Sequence, residues 1–377
     1  MEIDSLKARK VWILVGTRPE AIKQAPLYKA CCEKFGSENV ALIGTGQHRE
    51  LLLQALEPFN VKMDLNLDIM TPGQSLSESA ASVLQGLSKI FQKAKPEWLV
   101  VQGDTTSAAM AALAAFHHGV KVAHNEAGLR SYDLQHPFPE EANRRIISVM
   151  ADLHFVPTEK ARQALYREAV PETRVKVVGN TGIDALMEML GKEMPKRAAK
   201  IVDDCGRLGG LPVLLTAHRR ENQAARIDEW FATLAGFVQQ HKDIVLVYPM
   251  HPNNIGRSAA EKHLRPLDRV LLTDPLDYPS TCHLLSRCRF TVTDSGGIQE
   301  EGSTMGIPVV VCRETTERQE AVEAGLARLA GTDTQRILKA MEWAYQEGAP
   351  GRTRPQRWPF GDGRSSGRIA QLLGEYS

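Results

Sequence analysis

The chain has 377 residues, of which 43% are hydrophobic and 24% are charged, and its formal net charge at pH 7 is +1. This length suits two domains of ordinary size. The near-neutral charge excludes a broad electrostatic field for nucleic acid or anionic lipid, so any anion must be bound locally. The apolar run near the amino end is too short for a signal peptide or a membrane span, which predicts a cytoplasmic protein without membrane partners.

The first half of the chain alternates short apolar runs with amphipathic stretches, which is the pattern of βαβ units and a parallel sheet. Predicted strands are VWILVG, VALIGTG, EWLVVQG, VKVAHN, LHFVPT and RVKVVGN. Predicted helices are RPEAIKQAPLYKACCEKF, HRELLLQALEPF, TTSAAMAALAAFHHG, EEANRRIISVMA and EKARQALYREA. We therefore predict one doubly wound domain in this half.

A charged segment with glycine and proline, GKEMPKRAAKIVDDCGRLGGLP, interrupts the pattern and is predicted to be the passage between domains. A second series follows it, with strands PVLLTAH, DIVLVYPMH, RVLLTD, RFTVTDSGG and IPVVVC and helices IDEWFATLAGFVQQH, IQEEGSTMG and DTQRILKAMEWAYQEG. The pattern predicts an α/β protein with two Rossmann-like, doubly wound domains that face each other across a cleft. Such a cleft would hold a nucleotide-linked substrate.

Neither a cofactor nor a metal is predicted. No strand-to-helix turn carries the G-x-G-x-x-G fingerprint, which disfavours hydride transfer with bound NAD. The six cysteines include no C-x-x-C pair, and none is spaced with histidines as a zinc site requires. We expect these cysteines to be reduced and mostly buried.

A glycine-rich turn in the second half, TVTDSGGIQEEG, is predicted to bind phosphate. Gly296 and Gly297 lack side chains, so anionic oxygens could approach the backbone N–H groups at the start of the following helix. Glu301, one turn further on, could accept hydrogen bonds from a ribose diol. An ordinary β–α turn without a ligand would also tolerate two glycines, and this alternative stays open.

Basic side chains follow two other predicted strands. Arg18 and Lys23 lie in GTRPEAIK in the first half, and His218, Arg219 and Arg220 lie in TAHRREN in the second. Arginine offers forked donors that suit phosphate, and a cationic histidine adds another donor. The alternative for the second cluster is a surface basic patch.

Three carboxylates are predicted at strand ends of the first domain: Asp104 in GDTTSA, and Glu126 and Glu140 in AHNEAGLRSYDLQHPFPEEANRR. The last segment has neither helical nor strand periodicity, and polar loops on a rigid scaffold frequently carry function. Carboxylates in different environments suit proton transfer as acid and base. The alternative is that one or more of them form salt bridges with Arg130, Arg144 or Arg145.

The chain resembles the non-hydrolysing UDP-N-acetylglucosamine 2-epimerases. The matching motifs are GTRPEAIKQAPL, GTGQHRELL, GDTTSAAMAALAAF, HNEAGLRSYDL, PEEANRR, GNTGIDAL, TAHRREN, YPMHPN, DSGGIQEEG, TTERQEA and PFGDGRSSGRI. The resemblance implies a glycosyltransferase-B-type fold with an N-terminal domain over 8–185 and a UDP-binding domain over 186–358. It also implies a terminal helix within 359–377 that crosses back to the first domain.

The resemblance implies the reaction as well. UDP would leave C1 of the sugar as a proton leaves C2, giving 2-acetamidoglucal, and UDP and a proton would then add back to give UDP-N-acetylmannosamine. Asp104, Glu126, Glu140 and His218 match the family's catalytic residues. The matching substrate contacts are Arg18, Lys23, Arg144, Arg219, Ser295, Gly296, Gly297, Glu301 and Arg318.

A second UDP-N-acetylglucosamine is implied as an activator, because Gln47, Gln74, Glu141, Arg219 and His251 fall at matching positions. The expected partners are thus the UDP-sugar, this activator and a second copy in a homodimer, without nucleic acid. Four alternatives stay open: a hydrolysing UDP-GlcNAc 2-epimerase, an epimerase of a modified UDP-GlcNAc, a glycosyltransferase of the same fold and a non-catalytic sugar-nucleotide sensor. The last two would not need acid/base carboxylates around C2.

Overall fold

The computed structural model describes residues 6–46, 49–69, 73–217, 227–250, 256–351 and 358–377. The chain divides into two compact units. Unit 1 comprises Met1–Met187 and Phe360–Ser377, and unit 2 comprises Glu188–Pro359. Across the described ranges, no helix is long and apolar enough to cross a membrane.

Unit 1 contains a seven-stranded parallel sheet with the strand order β3-β2-β1-β4-β5-β6-β7. The strands are β1 (Val11–Val15), β2 (Val40–Gly44), β3 (Leu65–Asn66), β4 (Trp98–Gln102), β5 (Lys121–Asn125), β6 (Leu153–Val156) and β7 (Val175–Val177). Ile13 of β1 pairs with Leu42 on one side and with Val100 on the other. The chain order reverses between β1 and β4, so the turns after these two strands lie at the topological switch point.

The helices that begin in unit 1 cover this sheet. They are α1 (Arg18–Phe35), α2 (Arg49–Leu56), α3 (Leu76–Phe91), α4 (Thr106–His117), α5 (Glu140–Met150), α6 (Glu159–Arg167), α7 (Thr181–Leu190) and α15 (Ser365–Glu375). Buried alanines dominate α4, which packs against α3 and α5. Trp12 stacks on Phe91 with a centroid separation of 5.7 Å. Asp184 caps α15 by accepting hydrogen bonds from the backbone N–H groups of Ser365 and Ser366.

Unit 2 contains a six-stranded parallel sheet with the order β10-β9-β8-β11-β12-β13. Its strands are β8 (Leu211–Thr216), β9 (Ile244–Pro249), β10 (Val270–Thr273), β11 (Phe290–Thr293), β12 (Val309–Val311) and β13 (Ala327–Leu329). Its helices are α8 (Lys196–Arg207), α9 (Ile227–Gln240), α10 (Arg257–His263), α11 (Tyr278–Arg287), α12 (Gly296–Thr304), α13 (Gln319–Glu323) and α14 (Thr334–Glu347). The order reverses between β8 and β11, which puts a second switch point after these strands.

These two parallel sheets with interleaved helices confirm the predicted α/β class. One segment was wrongly interpreted: the supposed passage GKEMPKRAAKIVDDCGRLGGLP contains α8, an amphipathic helix with Ala198, Ile201 and Cys205 buried along one face. Several elements were missed, among them β3, α3 and α11. All six cysteines are free, and five of them are buried, as expected.

Candidate active site

The turn after β1 is organised by one buried glutamate, Glu20. Thr17 caps α1, and Glu20 closes a capping box with it. Oxygen Oε2 of Glu20 accepts hydrogen bonds from the backbone N–H groups of Gly16 and Thr17, at 2.9 and 2.6 Å, and from the Thr17 hydroxyl at 2.9 Å. A Cβ at Gly16 would stand 3.2 Å from both Oε2 of Glu20 and Cβ of Ser107, so the turn has little room for a side chain there.

The same carboxylate reaches the turn after β4. Oxygen Oε1 of Glu20 accepts a hydrogen bond of 2.8 Å from the hydroxyl of Thr105, which is the N-cap of α4. Burial raises the pKa of Glu20, and the hydrogen bonds from Thr105, Gly16 and Thr17 oppose that rise. Glu20 therefore joins the two turns of the unit 1 switch point.

Glu126 is held by a cation from α1. Its two carboxylate oxygens each lie 2.8 Å from Nζ of Lys23, and Gln102 donates a further hydrogen bond from the end of β4. The backbone of Glu126 has a φ of 62°, a left-handed conformation that costs a non-glycine residue roughly 1 kcal/mol. Because the side chain is 95% buried, the Lys23 contact also compensates its charge.

Asp104 is held by α5. Its carboxylate accepts from Nε of Arg144 at 2.9 Å and pairs with the NH2 nitrogen of that guanidinium at 2.7 Å. Its backbone carbonyl accepts a hydrogen bond of 2.9 Å from Nδ2 of Asn143. The side chain of Asp104 is 28% exposed and that of Arg144 only 4% exposed, so the carboxylate is the accessible member of the pair.

Glu140 is the first residue of α5 and is half-buried. The next residue, Glu141, is fully buried: its carboxylate accepts from the backbone N–H groups of Ser131 and Tyr132 and pairs with Arg144. Glu141 thus fixes the loop before α5 and the guanidinium that holds Asp104. Its predicted contact with an activator stays a prediction.

Asp104 and Glu126 both form salt bridges, although the cation that pairs with Glu126 lies outside the set that was considered. Asp104 pairs with Arg144, whereas Glu126 pairs with Lys23. The other two arginines bind different acids, since Arg130 pairs with Glu168 and Arg145 with Glu141. An ion pair does not exclude proton transfer, because a bound cation also holds a carboxylate in one orientation.

A buried histidine also stabilises the turn after β4. Nε2 of His124 lies 2.7 Å from the carbonyl oxygen of Gly103, next to Asp104. Burial lowers the pKa of His124 to about 4, and the nearby Arg130 guanidinium adds to that effect. The imidazole is therefore neutral near pH 7 and donates to this carbonyl.

Two threonine hydroxyls link the ends of β8 and β11 at the switch point of unit 2. Oγ1 of Thr216, the last residue of β8, lies 2.5 Å from Oγ1 of Thr293, the last residue of β11. Thr293 also accepts a hydrogen bond of 2.9 Å from the backbone N–H of Ser295, the N-cap of α12. This network orients the amino end of α12, where Gly296 and Gly297 begin the helix.

Arg318 lies against the same helix end. Its Nε donates to Glu300 at 2.9 Å, and its NH1 nitrogen lies 3.3 Å from Glu317, which also pairs with Arg313. A Cβ at Gly296 would stand 2.9 Å from Cζ of Arg318. The missing side chain at Gly296 therefore gives room to the guanidinium, a reason for glycine that the sequence did not reveal.

Glu301 is buried on α12 and accepts a hydrogen bond of 3.0 Å from the hydroxyl of Tyr278, the first residue of α11. Burial raises the pKa of Tyr278 well above its usual value, and the charge of Glu301 adds to the rise. Tyr278 is thus a permanent donor that orients this carboxylate.

Of the remaining predicted residues, Arg18 and Gln74 are described and four are not. Arg18 is exposed at the start of α1. Gln74 lies just before α3 and donates a hydrogen bond to the hydroxyl of Ser82 within that helix. Gln47, His218, Arg219 and His251 lie outside the described residues. Within the described part of the chain, no group of three or more His, Cys, Asp or Glu side chains could hold a metal ion.

Sequence reasoning missed the residues that position the site, namely Glu20, Gln102, Thr105, Asn143, Glu300 and Glu317. A signal existed for the first of them. Thr17-x-x-Glu20 is a capping-box pattern directly after a strand, and Ser75-x-x-Glu78 repeats it at α3. The long-range partners of these side chains left no such pattern.

Comparison with known proteins gives one consistent result. The profile of the family described as UDP-N-acetylglucosamine 2-epimerase matches residues 32–374. The UDP-N-acetylglucosamine 2-epimerase of Yersinia pestis is 41% identical over 374 residues, which cover 97% of this chain and 98% of that protein. The UDP-GlcNAc 2-epimerase of Neisseria meningitidis, bound to UDP-GlcNAc, has a TM-score of 0.89 at 37% identity and covers 97% of this chain and 100% of its own. That of Methanocaldococcus jannaschii, in complex with UDP-GlcNAc and UDP, has a TM-score of 0.82 at 30% identity, with 97% and 99% covered.

Together with these structures, the two doubly wound sheets define an α/β protein of the glycosyltransferase-B type. The chain belongs to the UDP-N-acetylglucosamine 2-epimerase family. The predicted fold class and the predicted membership of the UDP-N-acetylglucosamine 2-epimerase family are both confirmed, whereas the non-hydrolysing type stays a prediction. The roles of the individual site residues stay predictions.

Proposed function

We propose that this protein interconverts UDP-N-acetylglucosamine and UDP-N-acetylmannosamine without hydrolysis, by elimination and re-addition of UDP. The main supporting observation is that two carboxylates, Asp104 after β4 and Glu126 after the neighbouring strand β5, are each held by a cation. Proton transfer requires groups with fixed positions, and ion pairs fix them. The UDP-GlcNAc bound to the N. meningitidis relative supports the choice of substrate.

The reaction needs elimination because the C2 proton of the sugar is not next to a carbonyl and is not acidic. A base takes the proton from C2 while the C1–O bond breaks and its electron pair leaves with UDP, so a C1–C2 double bond forms. UDP then adds back to C1 as an acid delivers a proton to the opposite face of C2. Atoms and charges balance with no added oxidant or reductant.

Asp104, Glu126 and Glu140 are the proposed acids and bases. Lys23 and Arg144 hold two of these carboxylates. His218 is proposed to assist UDP departure, and Arg18 and Arg219 to contact the substrate. These last roles rest on the family motifs.

The UDP group is proposed to bind at the amino end of α12. The backbone N–H groups of Gly296 and Gly297 would face the diphosphate at the start of the helix that Ser295 caps, and the helix dipole favours its charge. Arg318 adds a guanidinium beside the same helix end, and Glu301 is oriented for the ribose hydroxyls by Tyr278.

A further part of the proposal is activation by a second UDP-GlcNAc, which would contact Gln47, Gln74, Glu141, Arg219 and His251. We also propose a homodimer, a cytoplasmic location and independence from metals and NAD. A modified sugar is the second candidate substrate, and it would use the same chemistry.

The test is incubation with UDP-GlcNAc in deuterated water, without added metal or NAD, followed by NMR of the C2 position. We expect deuterium at C2 in both UDP-GlcNAc and UDP-ManNAc. Free N-acetylmannosamine with UDP would instead indicate the hydrolysing reaction. No exchange at C2 would leave a glycosyltransferase or a sensor, and it would overturn the proposal.

A further inference from the structure

Glu20 differs from an ordinary capping-box glutamate in its burial. The matching box at α3 uses Ser75 and Glu78, and Glu78 accepts from the backbone N–H and hydroxyl of Ser75 at 2.7 and 2.8 Å. Glu78 is exposed, whereas Glu20 is only 3% exposed. Burying a carboxylate costs free energy that capping alone does not require. A structural difference is the hydrogen bond that Glu20 accepts from the hydroxyl of Thr105, 85 residues away in sequence.

The Thr105 contact acts on the residue next to it, Asp104. From the other side, Asn143 binds the backbone carbonyl of Asp104 and Arg144 binds its carboxylate. Asp104 is therefore held between α5 and the turn that Glu20 stabilises. Without the Glu20 contact, this turn would keep the α5 contacts and the His124 hydrogen bond to Gly103, but it would lose a side-chain link to the turn before α1.

Glu20 also belongs to the helix that holds the other ion-paired carboxylate. Lys23, three residues further along α1, binds Glu126. The chain of contacts thus runs from Glu126 through Lys23 and α1 to Glu20, and from there through Thr105 to Asp104. Both carboxylates are set relative to α1 in this way.

We propose that Glu20 is a positioning residue of the epimerase reaction, which couples the turn carrying Arg18 and Lys23 to the turn carrying Asp104. This inference rests on the proposed function. Glu20 does not transfer a proton itself, because its two oxygens face the backbone of its own turn and the Thr105 hydroxyl. Its loss shifts Asp104 relative to Lys23 and Glu126, and small displacements of reacting groups lower the rate strongly.

The central variants are Glu20→Gln and Thr105→Val. Glutamine retains one oxygen for the N–H groups of Gly16 and Thr17, but it turns an NH₂ group toward the Thr105 hydroxyl. Valine keeps the branched shape of threonine and removes the hydroxyl. We expect each variant to lower kcat about 10-fold while KM changes less than about twofold, since misplacement acts on the transition state.

Matched controls separate positioning from capping. Glu78→Gln removes the equivalent capping-box carboxylate at α3, and Thr158→Val removes the equivalent N-cap hydroxyl at α6, which accepts from the Ala161 N–H at 3.1 Å. Both should lower the melting temperature and leave kcat within about twofold of the original protein. Thr105→Ser, which restores the hydroxyl, should recover most of the kcat that valine removes.

The double variant Glu20→Gln/Thr105→Val is decisive. If the two residues act through one hydrogen bond, kcat of the double variant should fall about 10-fold, like each single variant, whereas independent effects would multiply to about 100-fold. Multiplicative losses of kcat, or a Glu20→Gln variant with unchanged kcat, would overturn the positioning role of Glu20 and leave the proposed function intact. If the unaltered protein shows no C2 exchange, the proposed function fails, and this inference fails with it.

Discussion

Both carboxylate oxygens of Glu126 lie 2.8 Å from Nζ of Lys23, and the two side chains are 95% and 87% buried. Lys23 comes from the first helix, and Glu126 follows the fifth strand, 103 residues later. Breaking a buried pair by removing one partner leaves an uncompensated charge, which costs about 3–5 kcal/mol. Under the proposed function, this one contact would therefore contribute to both catalysis and stability.

Lys23→Met should lower the free energy of unfolding by about 3 kcal/mol and lower kcat by about 10²-fold, because Glu126 loses both its charge partner and its orientation. Adding Glu126→Gln should recover part of the stability but none of the activity, since it removes the unpaired charge. Urea unfolding and steady-state kinetics measure the two effects. Lys192→Met, at the half-exposed pair with Glu188, is the control and should cost less than about 0.5 kcal/mol.

Asp104→Asn, Glu126→Gln and Glu140→Gln should each lower kcat by about 10²-fold or more, which is the usual scale for a positioned acid or base. Circular dichroism should show each variant folded. Glu159→Gln, an exposed carboxylate paired with Arg162 on α6, is the control and should retain full turnover. Near-normal kcat in any one of the three would leave that residue with its salt-bridge role only.

The sequence revealed the architecture because buried parallel strands have a strong signal. β1, β2 and β4 are wholly buried and, apart from Gln102 at the end of β4, apolar, and each is followed by a turn and a helix. The helix α3 was missed because its amino end, LSES, is polar and exposed, and its apolar face becomes regular only from Val83 onward. In α8, six charged residues among the twelve concealed the buried face.

The site was predictable in part for a physical reason. The carboxyl ends of parallel strands lie at the same edge of a sheet, so Asp104 and Glu126 could be assigned to one edge from their positions in the sequence alone. Their partners could not be assigned, because the pairing of Glu126 with Lys23 depends on the angle at which α1 leaves the sheet. The crowding of Gly296 by Arg318 is likewise a tertiary contact, between residues on either side of β12.

Gly296→Ala should weaken UDP binding by about 10-fold or more, because the new methyl group would stand 2.9 Å from the Arg318 guanidinium and displace it from the helix end. Gly296→Val should have a larger effect. At Gly297, the nearest atom to a new Cβ is 3.9 Å away, so Gly297→Ala should weaken binding less. Calorimetric titration with UDP compares the three variants. Affinity equal to that of the original protein in Gly296→Val would place the nucleotide elsewhere.

A buried histidine pair should make the protein sensitive to acid. His124 and His154 are register partners on β5 and β6, and burial lowers their pKa values to about 4 and about 3. In the unfolded chain both have a pKa near 6.5, so below that pH the unfolded state binds protons that the folded state excludes. The stability from these two groups is therefore complete above about pH 6.5 and is lost as the pH falls toward 4.

Replacing one histidine should flatten this dependence. Between pH 6.5 and 5, His154 alone should remove roughly 1.5 kcal/mol from the free energy of unfolding, because its proton is taken up only on unfolding. His154→Leu should therefore be less acid-sensitive than the original protein by that amount, whatever its stability at pH 7. The control is His117→Asn, an exposed position on α4. Urea unfolding at several pH values gives the comparison, and parallel curves for His154→Leu and the original protein would show that His154 binds its proton equally well in the folded state.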